Sequence, residues 1–280
     1  MNLAKIVFAK DIDVNVSEDI LLDHVRQNIK RCLPQAMPYL PNLQPIALVC
    51  GGPSLSLTEK ELVKLTWSGV KVACVNGSYQ WCIERNIKPS VMIMLDARQF
   101  NSRFVAEPVP GCRYLLAGQC HPDAFATCED RDVTIWHACS GQPEFELLKQ
   151  HYGDEAFFPI TLGTTVTLRA ISLLRLLGFQ SFHIFGLDSC WLKDRHHAYE
   201  QKENDKEVVR DVYLVPKDRE DLTRGPFICS PWQVKQALDF QQLVRERGDT
   251  FQLDVRGPGL IAAIMEIASH LGNEMKILEN

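Results

Sequence analysis

Short apolar runs recur along the chain, each closed by small or polar residues and most followed by a stretch whose apolar positions repeat every three to four residues. From residue 45 these runs are IALVC (46–50), VKVACV (70–75), PSVMIML (89–95), CRYLLAG (112–118), VTIWHA (133–138) and SFHIFGLD (181–188). Apolar runs without polar alternation suit strands buried on both faces. Between them, LTEKELVKLTW (57–67) sets Leu62 and Leu65 on one helical face, and SYQWCIERN (78–86) predicts a short helix. TTVTLRAISLLRLLGF (164–179) predicts a long one, with hydroxyl residues at its start and Gly178 at its end. After residue 230 come a helix over 231–247, a strand FQLDV (251–255), the turn RGPG and a closing helix LIAAIMEIASHLG (260–272). Alternating strands and helices predict an α/β fold, a Rossmann-like mostly parallel sheet with helices on both faces.

Two segments break the alternation. Residues 1–44 read as an N-terminal extension: a strand pattern KIVFA (5–9), a helix over about Ser17–Cys32, then LPQAMPYLPNLQP, whose four prolines favour extended backbone. Residues 45–280 then form the main domain. Within it, about 191–224 is dense in charge, and only VVRDVYLV (208–215) reads as a strand. This insertion is expected to be a mobile flap or an edge hairpin over the sheet.

Composition narrows the function classes. Hydrophobic residues are 46% and charged residues 23%, ordinary for a globular protein. No apolar run nears the roughly 20 residues of a bilayer span, and Asp11 and Asp13 interrupt the start before a signal-peptide core forms. A cytoplasmic protein is expected. Net charge is −5, which argues against nucleic acid as partner. The ten cysteines include no Cys-x-x-Cys pair and read as reduced, buried thiols. Cys112, Cys120, His121 and Cys128 lack the short paired spacing of structural zinc sites, so no metal ligand is assigned.

In open α/β sheets ligands bind outside the carboxyl ends of the strands. The residues expected there are Gly51, Gly52, Pro53 and Ser54; Asn76, Gly77 and Ser78; Asp96 and Arg98; Gln119 and His121; His137; Asp188; and Arg256–Gly259. The Gly51–Ser54 turn reads either as a phosphate cradle backed by a helix N-terminus or as a plain strand-to-helix turn. It matches neither G-x-G-x-x-G nor a Walker loop. Asn76-Gly77 suits a ribose or base contact, or a turn with positive φ. Asp96 closes an apolar run, where a carboxylate needs solvent, a metal or a partner such as Arg98. Gly163, Thr164 and Thr165 open the long helix and suit an anion or a cap. His196 and His197 lie on the charged insertion, as general-base candidates or as solvated loop residues.

CGGPSLS, VNGSYQWCIERNIKPSVMIMLDAR and TLGTTVTLRAISLLRLLGFQSFHIFGLDSCWLKDRHHAYEQ together resemble the MptE-like 6-hydroxymethylpterin diphosphokinases, whose relatives include Maf flagellin glycosyltransferases. The same order is similar to bacterial sialyltransferases of Campylobacter type, and LDARQFNSRFV with CHPDAF looks like phage or prophage members. The resemblance covers about residues 45–200. It implies a nucleotide bound with Gly52, Pro53 and Ser54 at the phosphates, Asn76 at the nucleoside, and Gly163 with Thr164 at the ligand's far side. It departs from the pterin kinases at Leu95-Asp96-Ala97-Arg98, where they carry an acid-rich segment, and from the sialyltransferases in the placement of the histidine.

The function expected is therefore a transferase using a nucleotide-activated donor, a nucleotide sugar. His196 or His197 is its base, and Asp188 or Asp96 orients hydroxyls or holds a divalent ion such as magnesium if one is used. The alternatives are an ATP- and magnesium-dependent diphosphokinase of the pterin type and a non-catalytic nucleotide-binding protein. The acceptor stays unassigned, and a homo-oligomer stays open.

Overall fold

The computed structural model describes residues 16–154, 156–201, 207–216, 220–247, 250–271 and 275–279. The KIVFA strand pattern and parts of the charged insertion lie outside the described residues. In chain order the first elements are α1 (Glu18–Ile29), β1 (Ile46–Val49), α2 (Leu55–Trp67), β2 (Lys71–Val75), α3 (Ser78–Glu84), β3 (Val91–Met94), β4 (Arg113–Ala117), α4 (Pro122–Thr127), β5 (Val133–Ala138) and α5 (Gln142–Tyr152). They are followed by β6 (Pro159–Ile160), α6 (Val166–Leu176), β7 (Ser181–Phe185), β8 (Arg210–Pro216), β9 (Arg224–Cys229), α7 (Pro231–Arg247), β10 (Gln252–Arg256), α8 (Leu260–Leu271) and β11 (Met275–Glu279). A 3-10 helix, Gln99–Val105, follows β3. The chain folds as two compact units, one of residues up to 44 with 71–180 and one of 45–70 with 181 onward.

The first unit holds five parallel strands in the order β2-β3-β4-β5-β6. Val75, Ile93, Leu115 and Thr134 lie in register across them, so the residues that follow these strands emerge along one edge. Cys74, Ile93, Leu115 and Leu116 are fully buried, as strands covered on both faces must be. The proline-rich segment is extended and stitched down: Ala36 N–H donates to Ile135 O at 2.8 Å, and Asn42 N–H to Gly178 O at 2.7 Å. Gly178 has φ +95 just past the end of α6, the left-handed C-terminal position expected of it.

The second unit holds three parallel strands in the order β10-β7-β1, with Leu48 opposite Ile184 and Ile184 opposite Val255. The mostly parallel α/β architecture expected of the chain is thus present in both units. A separate antiparallel sheet, β11-β8-β9, carries the hairpin part of the charged insertion. The pattern of apolar positions does not show β6, which has two residues, nor β9, whose RGPFIC is mostly exposed. It also misses α4 and α5, which are short or mostly polar.

Candidate functional site

In the second unit β1 and β7 are neighbours, although 131 residues of chain separate Val49 from Ser181, so the residues after these two strands emerge side by side. After β1 the chain turns at Gly51-Gly52-Pro53-Ser54 into α2. Gly52 N–H donates to Gly186 O at 2.8 Å, and Ser54 N–H donates to Asp188 Oδ2 at 2.8 Å. Pro53 has no N–H to offer. Two amides counted on for a phosphate are therefore engaged by protein oxygens, and Asp188 itself sits as the anion at the start of α2.

The fit around this pair is close. A methyl on Gly52 would meet Gly186 O at 2.6 Å, one on Gly259 would meet Asp188 O at 2.7 Å, and one on Gly257 would meet Ser54 Oγ at 2.6 Å. Asp188 is 3% exposed, and among the described residues its Oδ1 and the Ser54 Oγ have no hydrogen-bond partner. Burial pushes the Asp188 carboxyl up to about 6, against the opposing pull of the adjacent Ser54.

The segment after Cys190 folds back over the other side of the turn. Trp191 N–H donates to Ile228 O at 2.7 Å, and Ala198 N–H donates to Gly51 O at 3.0 Å. His196 and His197 are thereby brought to Gly51, and their Nδ1 atoms are in direct hydrogen-bond contact. His196 is buried, with Trp191 against its ring at 4.7 Å between centroids. His197 is half-buried between Tyr199, at 5.6 Å, and Trp232, stacked at 6.3 Å. A methyl on Gly51 would lie 2.6 Å from the Tyr199 hydroxyl oxygen and 3.4 Å from His197 Nε2. The segment 194–201 lines a cleft of about 450 Å³. Tyr199 was not singled out from the sequence; the only signal for it is its place two residues after the histidine pair.

The remaining candidates belong to the first unit. Asn76 has φ +44, the conformation of the turn reading, and its Oδ1 accepts from Leu95 N–H at 3.4 Å. Gly77 precedes α3 with φ −64, where any residue fits. Asp96 is held by Arg98: Nε to Oδ1 at 3.0 Å, Nη2 to Oδ2 at 2.7 Å, and the Arg98 N–H to Oδ1 at 2.9 Å. This is the salt bridge that would stabilise a carboxylate there. Gly163 has φ +92, and Thr165 caps α6 in extended conformation after Thr164. His137 is buried, with its Nε2 on Gln35 Oε1 at 3.0 Å, and desolvation holds its pKa down to about 3.

A second polar group, unforeseen from the sequence, surrounds Arg169 of α6. Its Nε donates to Gly163 O at 2.9 Å and its Nη2 to Ser140 Oγ at 2.8 Å. Glu144 Oε2 in turn accepts from the amides of Ser140 and Gly141. Arg169 is 2% and Glu144 4% exposed, and burial lowers the pKa of the first and raises that of the second. An arginine inside an apolar helix pattern is the signal that marks it. Among the described residues no helix is long and apolar enough to cross a membrane.

Comparison with one solved structure gives the same architecture. The Maf glycosyltransferase from Magnetospirillum magneticum AMB-1 superposes with a TM-score of 0.64 at 13% identity, covering 95% of this chain and 43% of that one. The chain thus spans less than half the length of that protein. A mammalian sialyltransferase matches over 87% of both chains, at 10% identity and a TM-score of 0.41. No curated protein matches the chain. The profile of the family described as "6-hydroxymethylpterin diphosphokinase MptE-like" matches residues 22–194, well over half of the 280 residues. With a parallel α/β core and polar residues gathered at the ends of its strands, the chain belongs to the MptE-like family.

Proposed function

We propose that the protein is a transferase acting on a nucleotide-activated donor, with a nucleotide sugar as substrate. The observation that carries this is the contact of His196 and His197 beside Gly51 and Tyr199 in an open cleft. Two imidazoles that meet through Nδ1 share one proton: one ring donates and the other accepts. With the proton on His197 Nδ1, His196 accepts it and the His197 lone pair sits on Nε2, the nitrogen nearer Gly51.

In that tautomer His197 is the base and His196 orients it, as the third member of a nucleophile–base pair does. The acceptor hydroxyl gives its proton to His197 Nε2 as its oxygen bonds to the donor carbon. The carbon–oxygen bond to phosphate breaks, and the leaving phosphate keeps the electron pair. The resulting imidazolium still donates to His196 Nδ1. Tyr199, with its hydroxyl over Gly51, is placed to donate to the leaving phosphate. Asp188 acts here through Ser54, holding the turn of Gly51–Ser54 in shape. For Asn76, Gly77, Asp96, Gly163, Thr164 and Thr165, all of the first unit, the proposed role is ligand binding within that unit, on the family resemblance alone.

The family description supports a second reading, a pterin-type diphosphokinase using ATP and magnesium. The residues present do not fit a two-carboxylate magnesium site. Both Asp96 oxygens are taken by Arg98, Asp188 is buried against Ser54, and no cluster of three or more ligating side chains occurs among the described residues. No step is therefore drawn through a metal ion.

Turnover of CMP-sugars, UDP-sugars and ATP, each with and without magnesium, separates the two. Hydrolysis or transfer from a nucleotide sugar, abolished by His197→Ala, is expected. Magnesium-dependent turnover of ATP alone would replace the glycosyl reading with the kinase one. Failure of any nucleotide to bind would leave neither.

A further inference from the structure

The stretch that carries His196 and His197 has no strand ladder or helix of its own. From Trp191 to Gln201 it consists of turns, bends and isolated bridges, so its side chains take their places from what lies against them. The start of α7 supplies much of that surface. Ser230 precedes this helix, and its hydroxyl accepts from Trp191 Nε1 at 3.1 Å. Just before the stretch, Ser189 Oγ donates to Gln236 Oε1 of the same helix at 2.7 Å. Pro231 opens this 17-residue element, at the position where its missing N–H costs nothing. The next residue, Trp232, stacks on the His197 ring, with 6.3 Å between centroids and 28° between planes.

A base on an irregular segment needs more than one constraint. The Nδ1 contact with His196 holds one edge of the His197 ring but leaves the plane of that ring undetermined. Tyr199 meets the ring tilted by 51°, so it does not set the plane either. Trp232 does, because two nearly parallel, offset rings attract at this separation. The indole is itself held at both ends. Its stem leaves the first turn of a long helix, and its Nε1 donates to Glu207 Oε2 at 2.5 Å, both residues being half-buried. A side chain locked in this way on a helix positions a neighbour more precisely than a loop residue can.

We propose that Trp232, anchored by Glu207, is a positioning residue that holds the plane of the His197 imidazole, so that Nε2 stays directed at the reacting hydroxyl beside Gly51. It acts on the reaction only through His197. The proposal rests on the transferase reading above and adds to it a residue from a different element of the same unit.

The test uses the full chain with Trp232→Leu, Trp232→Phe and Glu207→Ala. Leucine removes the stacking ring, whereas phenylalanine keeps a ring and loses only the bond to Glu207. Glu207→Ala keeps the indole and releases its tip, so it carries the test should Trp232→Leu fail to fold. Hydrolysis of CMP-sugars and UDP-sugars is measured as kcat and KM, and the ring nitrogens of His197 are followed by NMR, which tells a protonated nitrogen from one with a free lone pair. Expected in Trp232→Leu is a tenfold or greater fall in kcat, with the donor KM within threefold of intact. The two His197 nitrogen signals, distinct in the intact protein, should move towards one averaged position. Trp232→Phe should recover most of the lost kcat, and Glu207→Ala should lose threefold or more. A merely structural role would lower the unfolding temperature and leave kcat of the folded variants within twofold of intact, which overturns the proposal. Nitrogen signals unchanged in Trp232→Leu, or in Glu207→Ala should the first not fold, overturn it on their own. If the intact protein hydrolyses neither class of nucleotide sugar, the transferase reading falls, and the nitrogen signals alone then uphold or overturn the hold on His197.

Discussion

The amide of Ser54 donates to the carboxylate of Asp188 at 2.8 Å, across 134 positions of sequence. The bond ties the turn after β1 to the residue that closes the run after β7, and it places a carboxylate where a helix N-terminus would otherwise attract an anion from solution. Desolvation raises the Asp188 pKa from 3.8 to about 6. The folded state therefore binds its proton more tightly than the unfolded chain does. The stability this contributes is full below about pH 4 and is lost as the pH rises through about 6, a swing on the order of 3 kcal/mol. Urea unfolding from pH 4 to 7 is expected to show that decline in the intact protein and a flatter profile in Asp188→Asn. Superimposable profiles would mean that Asp188 does not titrate in this window.

Adjacent glycines in the turn have different neighbours. A methyl on Gly52 meets a backbone carbonyl, Gly186 O, which cannot move aside; one on Gly51 meets the ends of Tyr199 and His197. Gly52→Ala is expected to cost about 1–3 kcal/mol of stability through overpacking. Gly51→Ala should cost under about 1 kcal/mol while displacing the aromatic side chains and weakening nucleotide-sugar turnover at least tenfold. Equal loss of stability in the two variants would contradict the different neighbours seen here.

Arg98 satisfies both oxygens of Asp96, with side chains 20% and 13% exposed. Arg98→Met should destabilise by roughly 1–3 kcal/mol, because it leaves a half-buried carboxylate without its partner. Adding Asp96→Asn should recover a good part of that loss. A double-mutant cycle with a coupling near zero would show that the pair does not stabilise this edge of the unit.

Nine of the ten cysteines are buried and one, Cys32, is exposed, and no two are joined. Burial pushes the Cys112 thiol up to about 12 and the Cys128 thiol to about 11, so even brief exposure at neutral pH offers little thiolate. A chromogenic disulfide reagent should titrate about one thiol quickly in the native protein and the rest only in denaturant. Rapid reaction of three or more native thiols would count against the packing of these strands.

Of the candidate site, some relations were legible in the sequence because they are local. Asp96 and Arg98 are two residues apart, and a carboxylate at the end of an apolar run had an evident cation beside it. Asn76-Gly77 was recognisable as a turn, since asparagine tolerates the φ of +44 found there. Arg169, Glu144 and Ser140 were not legible as a group, because nothing in the spacing of 140, 144 and 169 says that two loops after neighbouring strands are bridged by one guanidinium.

The periodicity of apolar residues by itself determined the parallel strands other than the two-residue β6, the long helices and the α/β class, because burying both faces of a strand requires an unbroken apolar run. It also determined which residues come at the carboxyl ends of those strands. Only the tertiary structure decided that the amides of Gly52 and Ser54 are occupied by the protein's own oxygens, that Asp188 is the anion of the turn, and that His197 faces Gly51 with His196 behind it. Strand order and loop closure bring these atoms together, and a hydrogen bond depends on separations of about 3 Å that a one-dimensional pattern does not encode.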